Sequence, residues 1–234
     1  MPRTAHVPLG RSLGAAAGAI VAAYGAYAAA TWHFYGRVRA AGEEDPLLDG
    51  FIPVYEVVER HHIAVDAPAD VTLAAAAEMD VSQSAIVRAI FRARELILGA
   101  TPDVTPRPRG LVANVRSFGW VVLAEQAGRE IVFGAVTRPW EADVVFRSIP
   151  PDRFASFAEP GYVKIAWTLR ADPVDGDRSI FRTETRAVAT DAAARARFRV
   201  YWAFLSPGIA IIRRMMLRPV QEEAERRAAV SRDR

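Results

Sequence analysis

The chain of 234 residues contains no cysteine. That removes disulfide scaffolds, thiolate zinc sites, iron–sulfur clusters and cysteine nucleophiles from consideration. Lysine is almost absent too: Lys164 is the single one among 30 basic residues, so the positive charge is carried by arginine. There are four histidines and no HExxH, and the adjacent pair His61 and His62 projects to opposite faces of a strand, so no metal site is expected. No GxSxG elbow occurs, and no glycine-rich loop joins a strand to a helix, which argues against an α/β-hydrolase nucleophile and against phosphate cradles. No cofactor is expected.

What the sequence does have is apolar bulk. With 51% hydrophobic and 24% charged residues the chain is not disordered, and its length suits one domain with an appendage or two small domains. The net charge of +3 divides unevenly. Residues 1–39 carry four arginines and no acid, residues 213–234 sum to +3, and the body between them is at −4. Positive charge gathers at the ends and not on the folded body, which speaks against nucleic-acid binding.

From Leu13 to Phe34 no charged residue occurs. As a helix this stretch would reach ~33 Å, enough for a bilayer core of ~30 Å. Trp32, Phe34 and Tyr35 gather at its far end, as interfacial aromatics do, and Gly14 with Gly18 forms a GxxxG face for a partner helix or self-association. A single-pass membrane anchor over 1–36 is the expectation. Arginines flank both sides, leaving the side of the soluble part open with a lean to the cytoplasm. A signal peptide cleaved after Ala28 or Ala30, and an alanine-rich helix packed on the soluble domain, are the alternatives.

A linker over 37–54 follows, mixing glycine, Pro46, Pro53 and acids. Residues 57–65 then alternate as a strand, placing Val57, Glu59, His61, Ile63 and Val65 on one face. PADVTLAAAAEMD makes a short helix, Ser82 or Ser84 caps a second one and Gly99 closes it. Residues 100–110 read as a loop. Strands are expected near 111–116, 119–126, 129–138 and 144–149, and a hairpin over 162–171 and 178–189 turns at Asp175-Gly176. A long helix begins after Asp191, with Phe198, Trp202, Leu205, Ile209, Ile212 and Met216 in one stripe, a kink at Pro207 and an end or bend at Pro219. Residues 219–234 read as a charged tail.

With HHIAVDAPADVTLAAAAEMD, then GYVKIAWTLRADP and RSIFRTETRAVATD, then DAAARARFRVYWAFLSPGIAIIRRMML in that order, the chain resembles the SRPBCC superfamily. This is the START-like helix-grip group of birch-pollen-type allergens, polyketide cyclases and lipid-transfer domains; the closing helix is most similar to bacterial branches. The resemblance covers about 55–218 and implies an α+β fold in which a curved antiparallel sheet wraps a long C-terminal helix, here with an N-terminal transmembrane-type helix added. It also implies a cavity that binds a hydrophobic small molecule such as a lipid, quinone or polyketide-like compound.

Strand parity names the residues that would meet such a ligand: Glu59 and His61 on the first strand, Trp120, Phe133, Trp167 and Phe181 among the aromatics, and Thr183 and Thr185 on the last strand. Trp202, Leu205 and Ile209 would face them from the helix. Arg182, Glu184 and Arg186 have the opposite parity and are expected in solvent. Glu59 and His61 are polar on an aliphatic face, so they pair with each other, a threonine hydroxyl, water or a ligand head group. The leading expectation is binding without chemistry. The alternatives are a cyclase or dehydratase using Glu59 and His61 as acid and base, and an interaction module recruited through the GxxxG helix.

Overall fold

In the computed structural model the described residues are 9–37, 45–80, 84–101 and 108–232. The elements are α1 (Leu9–Phe34), α2 (Pro46–Asp49), β1 (Val57–Val65), α3 (Ala69–Glu78), α4 (Ala85–Leu98), α5 (Leu111–Ser117), β2 (Val121–Gln126), β3 (Glu130–Thr137), α6 (Pro151–Phe154), β4 (Val163–Pro173), β5 (Ser179–Ala189) and α7 (Ala192–Arg232). The strands form one antiparallel sheet in the order β1-β5-β4-β3-β2, so the first and last strands are neighbours. Helix α7 crosses the inner face, which is the helix-grip arrangement.

Local chemistry explains the element ends. The Val87 amide donates to Ser84 Oγ at 3.3 Å to start α4, and Gly99, at φ 69°, closes it in the left-handed conformation that a side chain would strain. In α5, Leu111 and Val115 are buried one turn apart. That four-residue spacing makes 111–117 helical where a strand was expected. Of the strand expected over 144–149, only a single bridge from Arg147 to Val136 forms.

The inner face holds two apolar clusters. One contains Val65, Phe133, Leu169 and Phe181 and is covered by Met216 and Val220 of α7 and Leu73 of α3. The other contains Val57, Val163 and Ala187 under Phe198 and Trp202. Each such side chain contributes roughly 1.5–3 kcal/mol on burial. Helix α7 continues through Pro207 and Pro219 as one element of 41 residues. The stretch read as a charged tail is therefore the end of the gripping helix: Val220, Ala224 and Ala228, four residues apart, are buried with the α3 residues, and Arg227 reaches Glu78 at 2.8 Å.

The outer face is covered as well. Residues 45–54, part of the expected linker, supply Leu48 and Ile52 to a third cluster with Leu123, Val132 and Phe154. As a result Glu184 and Arg186, expected in solvent, are buried. Arg186 donates to Glu184 at 2.7 Å and to the Ile52 carbonyl at 3.0 Å, and pairs with Asp49. Residues 38–44 of the expected linker lie outside the described residues.

The transmembrane expectation for 13–34 is not upheld: among the described residues no helix is long and apolar enough to cross a membrane. Alanine and glycine gain little from lipid, and their small side chains let α1 lie along α7. There Tyr24 Oη donates to the Phe204 carbonyl, Tyr27 Oη meets Ser206 Oγ at 3.1 Å, and Arg199 donates to the Trp32 carbonyl at 2.7 Å. The partner of this helix is thus α7 of the same chain. A Cβ on Gly18 would meet nothing within 4 Å, so that glycine is at no close helix–helix crossing.

Candidate functional site

On β1 the inward row runs Val57, Glu59, His61, Ile63, Val65, two polar residues between apolar ends. The register extends that break across the sheet. Thr185 lies opposite Glu59 and Thr183 opposite His61. Trp167 lies opposite Thr185 on the next strand, and Phe133 opposite Trp167. A polar row therefore separates the two inner apolar clusters.

Helix α7 passes over this row and adds two arginines. The Arg213 guanidinium lies 4.3 Å over the Trp167 ring, which itself stacks on Phe133 at 4.5 Å and meets Trp120 edge-on at 6.2 Å. Among the described residues no hydrogen bond or ion pair holds that guanidinium; the Trp167 face and the field of Glu59 are what it has. Burial pulls Arg213 down to about 10, against the pull of Glu59, so it keeps its charge at neutral pH.

The acid and base of the row are displaced from their ordinary values. Burial raises the Glu59 carboxyl, opposed by Arg214 and Arg213. Burial lowers the His61 imidazole, helped by the same two arginines and by His62. Glu59 Oε2 and His61 Nε2 are 3.5 Å apart, close enough for charge to be felt but without a hydrogen bond. His61 Nε2, Thr183 Oγ1 and Thr185 Oγ1 are buried with no partner. An unsatisfied buried polar atom costs about 1–3 kcal/mol, so three of them along one row are an expensive arrangement for a purely structural core.

Of the residues named from sequence, the fold brings together Glu59, His61, Trp167, Thr183 and Thr185, with Phe133 behind Trp167. Phe181 and Trp202 lie in the apolar clusters to either side. Trp120 is half-buried against Phe146 at 5.0 Å. Leu205 and Ile209 are half-buried on α7, two turns and one turn before Arg213. His62 is exposed, as its parity requires. Arg213 was missed, although the four-residue spacing of 205, 209 and 213 carries it onto the gripping stripe. Two surface clefts, one at Asp66, Asp175 and Arg232 and one between Glu78, Arg109 and Arg116, do not open onto the polar row. Residues 102–107, within the loop expected over 100–110, lie outside the described residues.

No family model and no curated protein matches the chain. Among solved structures it is similar to the di-domain ARO/CYC BexL from the BE-7585A biosynthetic pathway, with 18% identity and a TM-score of 0.27 over 72% of this chain, which spans only 46% of that one. It is similar to the Zhui aromatase/cyclase of a Streptomyces species at 16% identity and a TM-score of 0.24, covering 73% of this chain and 94% of that one. It is also similar to CalU16 from Micromonospora echinospora at 16% identity and a TM-score of 0.25, covering 74% and 86%.

Proposed function

We propose that the chain binds an apolar, ring-containing small molecule with one acidic oxygen, held between the sheet and α7. The observation that carries this reading is the row of partnerless buried atoms, His61 Nε2, Thr183 Oγ1 and Thr185 Oγ1, beside the unpaired cation of Arg213. Two arginines against one acid leave the row net positive, and the acidic oxygen of the ligand would satisfy the hydroxyls and offset that charge. The stacked faces of Phe133 and Trp167 suit a flat apolar body.

The test uses 2-anthracenecarboxylic acid and its methyl ester, titrated against the purified chain with tryptophan fluorescence as readout. Charge-assisted hydrogen bonds are worth about 1.5–3 kcal/mol, so the acid should bind at least tenfold tighter than the ester. Equal binding of the two, or no saturable quenching by either, refutes the proposal.

A second reading rests on the adjacent, oppositely displaced pair Glu59 and His61. Burial moves both titrations toward each other, the condition under which a carboxylic acid and a neutral imidazole act as acid and base on a bound substrate in a cyclisation or dehydration. Turnover of a polyketide-like substrate that survives Glu59→Gln and His61→Gln unchanged would exclude it.

A further inference from the structure

The helices that cover the inner face have an outer surface of unusual chemistry. Helix α4 and residues 192–221 of α7 together carry nine arginines and one acid, Glu95, and α1 adds no acid at all. The other acidic side chains among the described residues lie on the sheet, its loops, the short helices α2, α3 and α6 and the last turns of α7. On α7, Val200, Phe204 and Ile211 are 46%, 52% and 45% exposed at spacings of four and seven residues, one and two helical turns, so they form one outward stripe. Exposed Arg197 stands before that stripe, and exposed Arg218 follows it.

The neighbouring helix repeats the pattern. Helix α4 rests on α7 through Ile90 at Gly208, where a Cβ would come within 2.9 Å of Ile90 Cγ2, and Arg94 ties it to the carbonyls of Pro139 and Glu141. Only Val87 is fully buried, while Ile86, Phe91, Leu96 and Ile97 are exposed together with Arg88 and Arg92. Apolar side chains ringed by arginine, with the acids segregated to the other parts of the molecule, match the two components of an anionic bilayer surface: hydrocarbon beneath, negative head groups above.

We infer that the outward face of α7 and α4 docks on the surface of an anionic lipid bilayer, with the protein lying on the membrane and not spanning it. Phe204, Ile211 and Phe91 enter the head-group boundary, and Arg92, Arg197 and Arg218 meet the lipid phosphates. This inference uses the outer side of the helices and does not depend on the ligand proposed for the inner side.

The experiment is flotation of the full chain with vesicles of phosphatidylcholine alone and of phosphatidylcholine mixed with phosphatidylglycerol, at low and high salt. The chain should float with the anionic vesicles at low salt and be released as salt rises, because surface charge is screened beyond ~10 Å at 0.1 M. Phe204→Ser with Ile211→Ser, and separately Arg92→Gln with Arg218→Gln, should each cut the bound fraction several-fold. These positions are exposed, and an unchanged melting curve verifies that both variants fold. Failure to float with anionic vesicles overturns the inference. So does retention on neutral vesicles at high salt, the behaviour of a spanning helix, and so does a lipid-free dimer that both double variants dissociate, since that face would then be covered by a second copy.

Discussion

The guanidinium of Arg213 lies over the indole of Trp167 with no carboxylate of the described residues in hydrogen-bond contact, so a cation from the gripping helix is held against the sheet by an aromatic face. A cation–π contact of this kind is worth about 0.5–2 kcal/mol, set against the cost of partly desolvating a half-buried charge that lacks an ion-pair partner. Arg213 is therefore poorly explained by stability alone.

Arg213→Met tests that imbalance. Methionine keeps the apolar stem over Trp167 and removes the charge, so stability in urea should stay within about 1 kcal/mol of the parent or rise. Binding of an aromatic acid should weaken about tenfold while its ester is unaffected. A loss of more than ~3 kcal/mol in the melt would assign Arg213 to the core instead.

The two threonines carry a companion prediction. Valine is nearly isosteric with threonine and deletes only the hydroxyl, and both hydroxyls are buried without a partner. Thr183→Val and Thr185→Val should therefore each stabilise the chain, by up to ~1 kcal/mol in denaturant midpoint, while lowering affinity for an acidic ligand. Opposite signs for stability and binding are the signature of a polar atom kept for something other than the fold. Destabilisation by either valine would show that its hydroxyl is satisfied in solution.

Strand parity was enough to place Glu59, His61, Trp167, Thr183 and Thr185 on one face, because a period of two leaves a single choice once Val57 and Val65 are known to be inside. The grip helix was equally legible from its apolar stripe. Arg213 was not, since an arginine in a helical stripe reads as a solvated residue until the aromatic beneath it is known. Glu184 and Arg186 were misread for a related reason: parity gives the face but not what covers it, and the cover comes from Leu48 and Ile52 in a segment whose glycines, prolines and acids resemble a linker. The helix over 13–34 lacks charge as a membrane span does, yet its tyrosines bond to α7, a distinction that composition does not encode.

Glu130, buried at the start of β3, shares a hydrogen bond with the Asp45 carboxyl, and burial followed by that neighbour pushes it up to about 8. The folded chain holds this proton more tightly than the unfolded chain, whose carboxyl titrates near 4.5. The stabilisation is thus complete below the unfolded value and is lost as pH rises through about 8. Glu130→Gln, which mimics the protonated acid, should match the parent melting temperature near pH 4 and exceed it above pH 8. Parallel melting curves at all pH values would contradict the shared proton.

Arg186 makes the strongest structural prediction. Its side chain is 3% exposed and donates to Glu184 and the Ile52 carbonyl, pairs with Asp49 and lies 4.6 Å over the Tyr55 ring, so it joins β5 to the segment that covers the outer face. Removing one partner of a buried pair leaves the other charge uncompensated, at about 3–5 kcal/mol. Arg60 still reaches Glu184 at 2.8 Å and relieves part of that cost. Arg186→Met should therefore lower stability by roughly 3 kcal/mol in urea unfolding. Glu184→Leu added to it should recover more than half of the loss, because the buried carboxylate and not the missing contacts carries most of the penalty. No recovery in the double variant would mean that the outer segment is held by Arg186 reaching Asp49 and Ile52, and its release would then appear as early amide exchange confined to residues 48–56.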